Sequence, residues 1–415
     1  MTLNRQPIPV FDAVTKVVEN VTHIDTETVK LEDSYNRYLS EDLTATHDVP
    51  LFTRSAMDGF AIRSADSGKG AAFTVVDEVP AGSTSDYELK ENEAFRIMTG
   101  AELPKSADTV VMFEQANIDG DTFTIRKTFD AFDNVAMQGE ECKKGDIIVH
   151  KGSQINPGTV ATLATFGYVE VNVYRVPVVG VLSTGSELLE VSDELERGKI
   201  RNSNTPMIMA QLERIGVHAK RYDLEEDNLD TLLEKIEKMF NEVDAVITTG
   251  GVSVGDYDLL PKVYEKLGAE VLFNKVAMRP GSVTTVARAK GKFLFGLSGN
   301  PSACYSGFEL FARPAILLMQ GSARAFAPFV NATLGEDFKK PNPFTLFVRA
   351  EIDFVDGKVI SKPSGFNKSN AVTSIARSNG VIVLPGGTRG FEAGDEVQVM
   401  LTDVTSGVSH FSIRQ

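Results

Sequence analysis

Between Arg175 and Gly321, short apolar runs alternate with segments whose apolar residues recur at helical spacing. Val176–Ser183 and Ala245–Thr249 are typical of strands that are buried on both faces of a sheet. Asn228–Phe240, between them, has the pattern of an amphipathic helix. Strands that alternate with helices pair in parallel through right-handed crossovers. We therefore predict a three-layer α/β domain, with a parallel-rich sheet, as the centre of this protein.

Other patterns flank the α/β segment. On its N-terminal side, short strand-like runs such as Ala72–Val76 alternate with Gly, Pro and Asp turns, after one helix that begins near Val10. On its C-terminal side the sequence is typical of an all-β piece, and Ser302–Gln320 is predicted as one helix before it. The predicted parts are a mainly β N-terminal region over 1–174, the α/β domain over 175–321 and a C-terminal β domain over 328–415.

Composition excludes several classes of function. The net charge is −15, from 42 basic and 57 acidic residues, and a general nucleic-acid binder needs a concentrated basic face. The sequence has neither an apolar run long enough for a membrane helix nor an N-terminal signal pattern, so we expect a cytoplasmic protein. Two cysteines, Cys142 and Cys304, build neither a disulfide framework nor a four-thiolate zinc site, and five histidines without ligand spacing disfavour a histidine-rich metal site.

Polar loops follow the predicted strands of the α/β domain. Ligands bind beyond the carboxyl ends of the strands in an open parallel sheet. Glycines there let backbone N–H groups approach a ligand, and the free N–H groups of a helix that opens in such a loop favour an anion. We therefore expect the site for an anionic small molecule in four loops: Ser183–Glu187, Thr248–Asp258, Met278–Ser282 and Gly296–Ser302.

Charged side chains in these loops indicate the chemistry. The carboxylates of Glu187, Asp256 and Asp258 are oxygen ligands suited to Mg²⁺. Asp256 could equally be a helix N-cap, whereas for Asp258 a functional role is favoured over a cap. Lys275 and Arg279 could neutralise a phosphate or another oxyanion. These residues favour a Mg²⁺-dependent enzyme that acts on a phosphorylated or nucleotide-linked substrate.

Four motifs in order along the chain resemble those of the MoeA family, the molybdopterin molybdenumtransferases that share the fold of the gephyrin E domain. Ser55–Ala61 is similar to the family's S-x-M-D-G-[YF]-A signature, and Ile97–Ala101 is similar to its I-x-T-G-A loop. Gly250–Gly255 resembles G-G-V-S-[VM]-G, and Ser298–Pro301 resembles the end of G-[LF]-x-G-N-P. The resemblance covers essentially the whole chain.

This resemblance implies a fold and a reaction. The fold is multidomain α/β plus β: a central MogA/MoaB-like domain, a small β domain inserted at roughly 54–140 in the N-terminal region, and a small C-terminal domain that resembles a β-barrel. The implied assembly is a homodimer. The implied reaction inserts molybdate into adenylylated molybdopterin and releases AMP and molybdenum cofactor, with Mg²⁺ present.

The resemblance also implies roles for individual residues. The acidic and hydroxyl side of the site would be formed by Asp58, Thr99, Glu187, Asp227 and Asp258. Within that set, Mg²⁺ would be held by Glu187 and Asp258. Substrate and anion would be bound by Ser183, Thr184, Gly250, Gly251, Ser253, Lys275, Arg279, Gly299, Asn300, Pro301, Arg349 and Ser369.

The sequence departs from the family pattern at four places. Ser186 stands where the family commonly has Asp, Arg279-Pro280-Gly281-Ser282 replaces K-P-G-K, Glu141 replaces Asp, and Ser298 replaces Pro. These changes fit an ordinary branch of the family, a variant that handles tungstate, or a less active paralogue.

Two other functions are open alternatives. One is adenylyl transfer onto molybdopterin, which the extra N- and C-terminal domains disfavour. The other is a catalytically silent scaffold of the gephyrin kind, which the acidic set disfavours. A molybdopterin adenylyltransferase is the candidate partner that hands over the substrate.

Overall fold

The computed structural model describes residues 6–223, 228–251, 259–355 and 357–403. Within it the chain forms two compact units. The main unit comprises the residues up to Ser40, Gly152–Asn156 and the chain from Val171 onward. The second unit comprises Glu41–Lys151 and Pro157–Glu170.

The main unit is built on a six-stranded sheet, as the alternation of strands and helices predicts. The first four strands in the sheet order are mutually parallel, and the last two pair antiparallel at one edge. In spatial order, the strands are His218–Tyr222, Val178–Ser183, Ala245–Thr249, Lys292–Leu297, Thr285–Ala289 and Glu270–Phe273. The antiparallel edge arises because a tight turn connects Thr285–Ala289 directly to Lys292–Leu297, without a crossover helix.

Helices cover both faces of this sheet. Alternate residues of the central strand point to opposite cores: Ile247 belongs to one apolar cluster and Val246 to the other. The first core contains side chains of Val10–Glu19, Asn204–Arg214 and the helical segment after Pro301, and the second contains those of Leu229–Glu242 and Leu260–Lys266. The predicted three-layer α/β architecture is confirmed.

The predicted helix Ser302–Gln320 is interrupted. Its parts are Pro301–Gly307, a π-helical turn Phe308–Ala312, and Arg313–Met319. Pro314 explains the widened turn, because it lacks an N–H group and its ring collides with the carbonyl four residues earlier. Inside this turn the buried Glu309 carboxylate accepts hydrogen bonds from Gln211 and Arg214.

A closed five-stranded barrel forms the C-terminal part of the main unit. Its pairs are antiparallel except for the parallel pair of Phe329–Leu334 with Lys358–Pro363. Closure buries an apolar core that includes Val348, Ile382 and Val399. The barrel strands are Phe329–Leu334, Thr345–Val355, Lys358–Pro363, Gly380–Leu384 and Glu396–Leu401, with one short helix, Thr373–Arg377.

One predicted loop of the α/β domain is partly a strand of the barrel sheet. Met278–Arg279 pairs in parallel with Thr345 and Leu346. The expectation that Met278–Ser282 is only a loop is therefore wrong. The sequence could not indicate this pairing, because the partner strand lies more than sixty residues further along the chain.

The second unit contains a mixed six-stranded sheet. Phenylalanines fill one of its cores, and the rings of Phe60 and Phe123 stack with their centroids 3.8 Å apart. In spatial order, the strands are Thr109–Met112, Gly59–Ile62, Glu93–Ile97, Ala72–Val79, Thr122–Ile125 and Ala116–Asp119. Outside this sheet, the unit has the paired strands Leu43–Thr44 and Ile147–Val149, the paired strands Arg54–Ser55 and Val135–Ala136, and the helix Pro157–Thr165.

The remaining strands are short, and none belongs to a large sheet. They are Thr26–Lys30, Glu170–Tyr174, Leu188–Leu189 and Ile200–Arg201. Within the described residues, no helix has the length and apolar character needed to cross a membrane.

Candidate functional site

Three loops leave adjacent parallel strands of the main unit and surround a cavity of about 950 Å³, which we call the loop cavity. Its walls come from the carboxyl ends of Val178–Ser183, Ala245–Thr249 and Lys292–Leu297. This is the edge of the sheet that the sequence predicts for a ligand. The predicted site residues in its wall are Thr184, Glu187, Gly250, Gly251, Gly299, Asn300 and Pro301.

Glycine is required where two of these loops meet. Gly250 has φ of +89°, and a Cβ atom there would lie 2.5 Å from the carbonyl oxygen of Thr184. Its N–H donates to the carbonyl of Leu297 at 3.0 Å, so it joins neighbouring strand ends. Any side chain at Gly250 would force the two loops apart, which explains the glycine on packing grounds alone.

Two asparagines outside the predicted set of site residues also line this cavity. Asn202 and Asn204 both line the loop cavity. Asn202 Nδ2 donates to Ser183 Oγ at 2.8 Å, and this is where the structure places the predicted Ser183. Asn204 Nδ2 donates to the Gly299 carbonyl at 2.8 Å, while its buried Oδ1 has no partner among the described residues. The sequence signal that could have indicated these residues is the polar run Asn202-Ser203-Asn204, which follows the strand Ile200–Arg201.

At the helix that starts at Pro301, three of the first four residues have no free N–H group for a ligand. Pro301 has no N–H, the Ser302 N–H donates to the Ser369 carbonyl at 3.1 Å, and the Cys304 N–H donates to the Asn300 carbonyl at 2.9 Å. Asn300 itself donates its N–H to Ser298 Oγ at 3.2 Å. The expectation of free N–H groups for an anion at this helix start is therefore wrong at these positions.

A second cavity of about 460 Å³ has three cationic side chains in its wall, and we call it the arginine cavity. Arg279 and Arg349 line it together with Lys368 and Ser369. Three of these four were predicted from the family resemblance, and Lys368 was not. Among the residues that line this cavity in the described chain, none is an acid.

Arg349 is almost completely buried, with 1% of its surface exposed. Its Nε donates to Ser374 Oγ at 2.9 Å, and its Nη2 donates to Asn367 Oδ1 at 2.9 Å. Its Nη1 has no partner, and no carboxylate of the described chain forms an ion pair with Arg349. Burial lowers the pKa of Arg349 from its ordinary value, yet an arginine stays protonated in proteins. A buried, uncompensated cation with a free donor is the chemistry of an anion site.

Of the acidic residues predicted from the family resemblance, one lines the loop cavity, two lie outside the described residues, and Asp58 lies in the second unit. Glu187 is exposed and lines the loop cavity. Asp227 and Asp258, like the predicted anion-binding Ser253, lie outside the described residues. The part of the chain that the structure describes contains no group of three or more His, Cys, Asp or Glu residues able to hold a metal.

Asp58 and Thr99 meet in the second unit. Asp58 Oδ1 accepts hydrogen bonds from the Thr99 N–H at 2.8 Å and from Thr99 Oγ1 at 3.1 Å. These bonds fix the carboxylate at the end of the strand pair formed by Gly59–Ile62 and Glu93–Ile97. The motifs Ser55–Ala61 and Ile97–Ala101 are therefore in contact through Asp58 and Thr99.

Lys275 differs from the other predicted cations. It is half-buried in the segment that precedes Met278–Arg279, and its carbonyl accepts the N–H of Ile8 at 3.1 Å. It lines neither the loop cavity nor the arginine cavity.

Three family models match successive parts of the chain. The MoeA N-terminal region (domain I and II) matches residues 8–167, the probable molybdopterin binding domain matches 180–317, and the MoeA C-terminal region (domain IV) matches 331–402. The molybdopterin molybdenumtransferase of Staphylococcus epidermidis is 52% identical over 408 residues, which cover 97% of each chain. That of Staphylococcus aureus is 53% identical over 405 residues, which cover 96% of each chain.

The chain belongs to the molybdopterin molybdenumtransferase family. Its fold agrees with this assignment: the crystal structure of the molybdopterin biosynthesis moeA protein from Pyrococcus horikoshii OT3 superimposes with a TM-score of 0.83. That match has 29% sequence identity and covers 95% of this chain and 100% of that one. The chain is accordingly a transferase of molybdenum cofactor biosynthesis, as the sequence motifs predict.

Proposed function

We propose that this transferase inserts molybdate into adenylylated molybdopterin and releases AMP. The observation that carries the proposal is the arginine cavity, where the buried Arg349 keeps an unused donor and no acid lines the wall within the described chain. Molybdate is a dianion, and it would supply the negative charge that this cavity lacks. Family membership supports the molybdopterin substrate.

The two cavities differ in size and charge in a way that suits two different substrates. The loop cavity, at about 950 Å³, is within the range of sites for sizeable organic ligands, and its wall offers both polar and apolar surface. The arginine cavity is about half that volume and has three cations and no acid in its wall among the described residues, whereas the loop cavity has Arg201 together with Glu187. We assign the adenylylated pterin to the first and the oxyanion to the second, so that binding alone brings the reactants together.

In the proposed reaction, the residues of this chain bind and orient. Arg349 and Arg279 hold the oxyanion, and the hydroxyl of Ser369 is a further donor for it. Asn202 keeps Ser183 in place, and Gly250 lets the loops pack closely enough to shape the cavity. Asp58, fixed by Thr99, is assigned to the same reaction from its family motif.

Mg²⁺ is part of the proposal, and the donor set of the loop cavity is compatible with it. Glu187 offers a carboxylate at the cavity wall, and among the described residues its side chain has no ion-pair partner. Mg²⁺ usually takes one or two protein carboxylates together with substrate phosphates. Glu187, and Asp258 by its motif, would hold the ion, which would neutralise phosphate charge.

The decisive experiment measures AMP release from purified adenylylated molybdopterin, with and without micromolar molybdate. We expect release that depends on molybdate and is lost when EDTA removes Mg²⁺. Consumption of ATP with free molybdopterin would instead support adenylyl transfer. Substrate binding without any turnover would support a scaffold.

The proposal also includes a homodimer, a cytoplasmic location, and the domain boundaries 1–174, 175–321 and 328–415 with an insert near 54–140. Size-exclusion chromatography with light scattering tests the dimer. Limited proteolysis tests the boundaries. Substituting tungstate for molybdate in the AMP assay tests whether Ser186 and Arg279 accompany a changed preference for the oxyanion.

A further inference from the structure

The loop cavity and the arginine cavity share part of their walls. Val283, Ser298, Asn300 and Asn370 line both of them. The first three belong to the α/β domain, whereas Asn370 comes from the barrel. The two cavities therefore adjoin at one place, and Asn370 is the barrel's contribution to that junction.

The side chain of Asn370 is available for a ligand. It is exposed, and among the described residues none forms a hydrogen bond with it. An amide has two donor hydrogens and an acceptor oxygen, so it can bond to an oxyanion and to an organic substrate at the same time. Its neighbours Lys368 and Ser369 also line the arginine cavity.

Ser302 holds the segment that carries Asn370. Ser302 is completely buried at the start of the helix Pro301–Gly307. Its N–H donates to the Ser369 carbonyl at 3.1 Å, and its Oγ donates to the Ala371 carbonyl at 2.6 Å. The two bonds flank Asn370 on either side, so one residue of the α/β domain fixes where this barrel residue lies.

We propose that Asn370 contacts the oxyanion at the junction of the two cavities, and that Ser302 is the positioning residue that keeps it there. This inference rests on the proposed function and adds to it the place where the two substrates meet. Asn370 donates an N–H to an oxyanion oxygen, while Arg349, which lines the same arginine cavity, neutralises the charge.

The test compares Asn370→Ala and Asn370→Asp with the unmodified protein. Molybdate binding is measured by equilibrium dialysis, and the molybdate dependence of AMP release is measured in parallel. We expect a several-fold weaker affinity for Asn370→Ala from the loss of one hydrogen bond. For Asn370→Asp we expect a loss of about tenfold or more, because a carboxylate at this position repels the dianion. If the exposed side chain of Asn370 had a purely structural role, the two variants would not differ in their affinity for molybdate.

Ser302→Ala tests the positioning role, with Ser306→Ala as its matched control. Ser306 lies one turn later on the same helix, is equally buried, and its Oγ has no partner among the described residues. We expect Ser302→Ala to raise the half-saturating molybdate concentration by up to about tenfold, with the maximal rate restored at high molybdate. Ser306→Ala should match the unmodified protein.

The outcomes separate the two proposals. Unchanged molybdate affinity in both Asn370 variants, beside normal turnover by the unmodified protein, overturns the role of Asn370 and leaves the proposed function standing. If the unmodified protein neither binds molybdate nor releases AMP with it, the proposed function is wrong, and this inference is wrong with it. Should Ser302→Ala fail to fold, the Asn370 variants still decide the matter.

Discussion

Replacing Arg349 with methionine removes the buried charge of the arginine cavity while keeping most of the side-chain volume. Truncating one partner of a buried charge pair typically costs about 2–5 kcal/mol. At about 1.4 kcal/mol for each factor of ten, Arg349→Met should weaken molybdate binding by about 30- to 5,000-fold. The burial of Arg349, at 1% exposed, places the effect toward the upper end.

The stability of Arg349→Met should change much less than its affinity. The variant loses the hydrogen bonds to Ser374 Oγ and Asn367 Oδ1, each of which contributes about 1.5–3 kcal/mol as a bond to a charged group. It also gains, because the cost of burying a cation that no described acid compensates disappears. The two effects oppose each other, so we expect the free energy of unfolding to change by about 2 kcal/mol or less.

Equilibrium dialysis against molybdate, with urea unfolding in parallel, measures both quantities. Arg377→Met is the control, because Arg377 is an exposed arginine on the short barrel helix and its loss changes the net charge equally. Arg349→Lys should fall between the two, since an ammonium keeps the charge without the planar set of donors. A folded Arg349→Met protein that binds molybdate as tightly as the unmodified protein would refute the anion site.

Three further predictions concern other parts of the molecule. Gly250→Ala should lower the free energy of unfolding in urea by about 2 kcal/mol or more, because of the positive φ and the contact with Thr184. Gly268 is the control: it also has a positive φ, but a Cβ atom there would meet open space, so Gly268→Ala should lower the free energy of unfolding less. Burial alone would raise the pKa of Asp244, but its pair with Arg175 and a backbone N–H hold that pKa below its ordinary value. Its stabilisation is therefore complete above about pH 4 and is lost as the pH falls through the lowered pKa, so Asp244→Asn should flatten the acid limb of the stability profile. Asp58→Asn keeps the shape of the carboxyl group but weakens its hydrogen bonds to Thr99. We expect AMP release to fall, while substrate binding in the loop cavity, measured by fluorescence, stays within about twofold of the unmodified protein. Unchanged AMP release would remove Asp58 from the reaction.

Most of the fold could be predicted from the sequence wherever a local sequence pattern determines the secondary structure. The apolar run Ala245–Thr249 is buried throughout, and its flanking helices follow from their spacing. The prediction was wrong where a segment pairs with a strand far away in the chain, as Met278–Arg279 does with the barrel strand that begins at Thr345. The π turn at Phe308–Ala312 could have been foreseen from Pro314, because proline disrupts a helix by a purely local effect.

For the site, the sequence by itself determined which residue types stand at the carboxyl edge of the sheet, since those loops follow strands whose pattern is local. Only the tertiary structure decided that Arg349 is buried without an acid partner in the described chain, and that Ser302 donates to the Ser369 and Ala371 carbonyls. Both facts depend on contacts between segments far apart in the chain. Charge compensation and hydrogen-bond partners follow from three-dimensional packing, on which the order of residues along the chain carries little direct information.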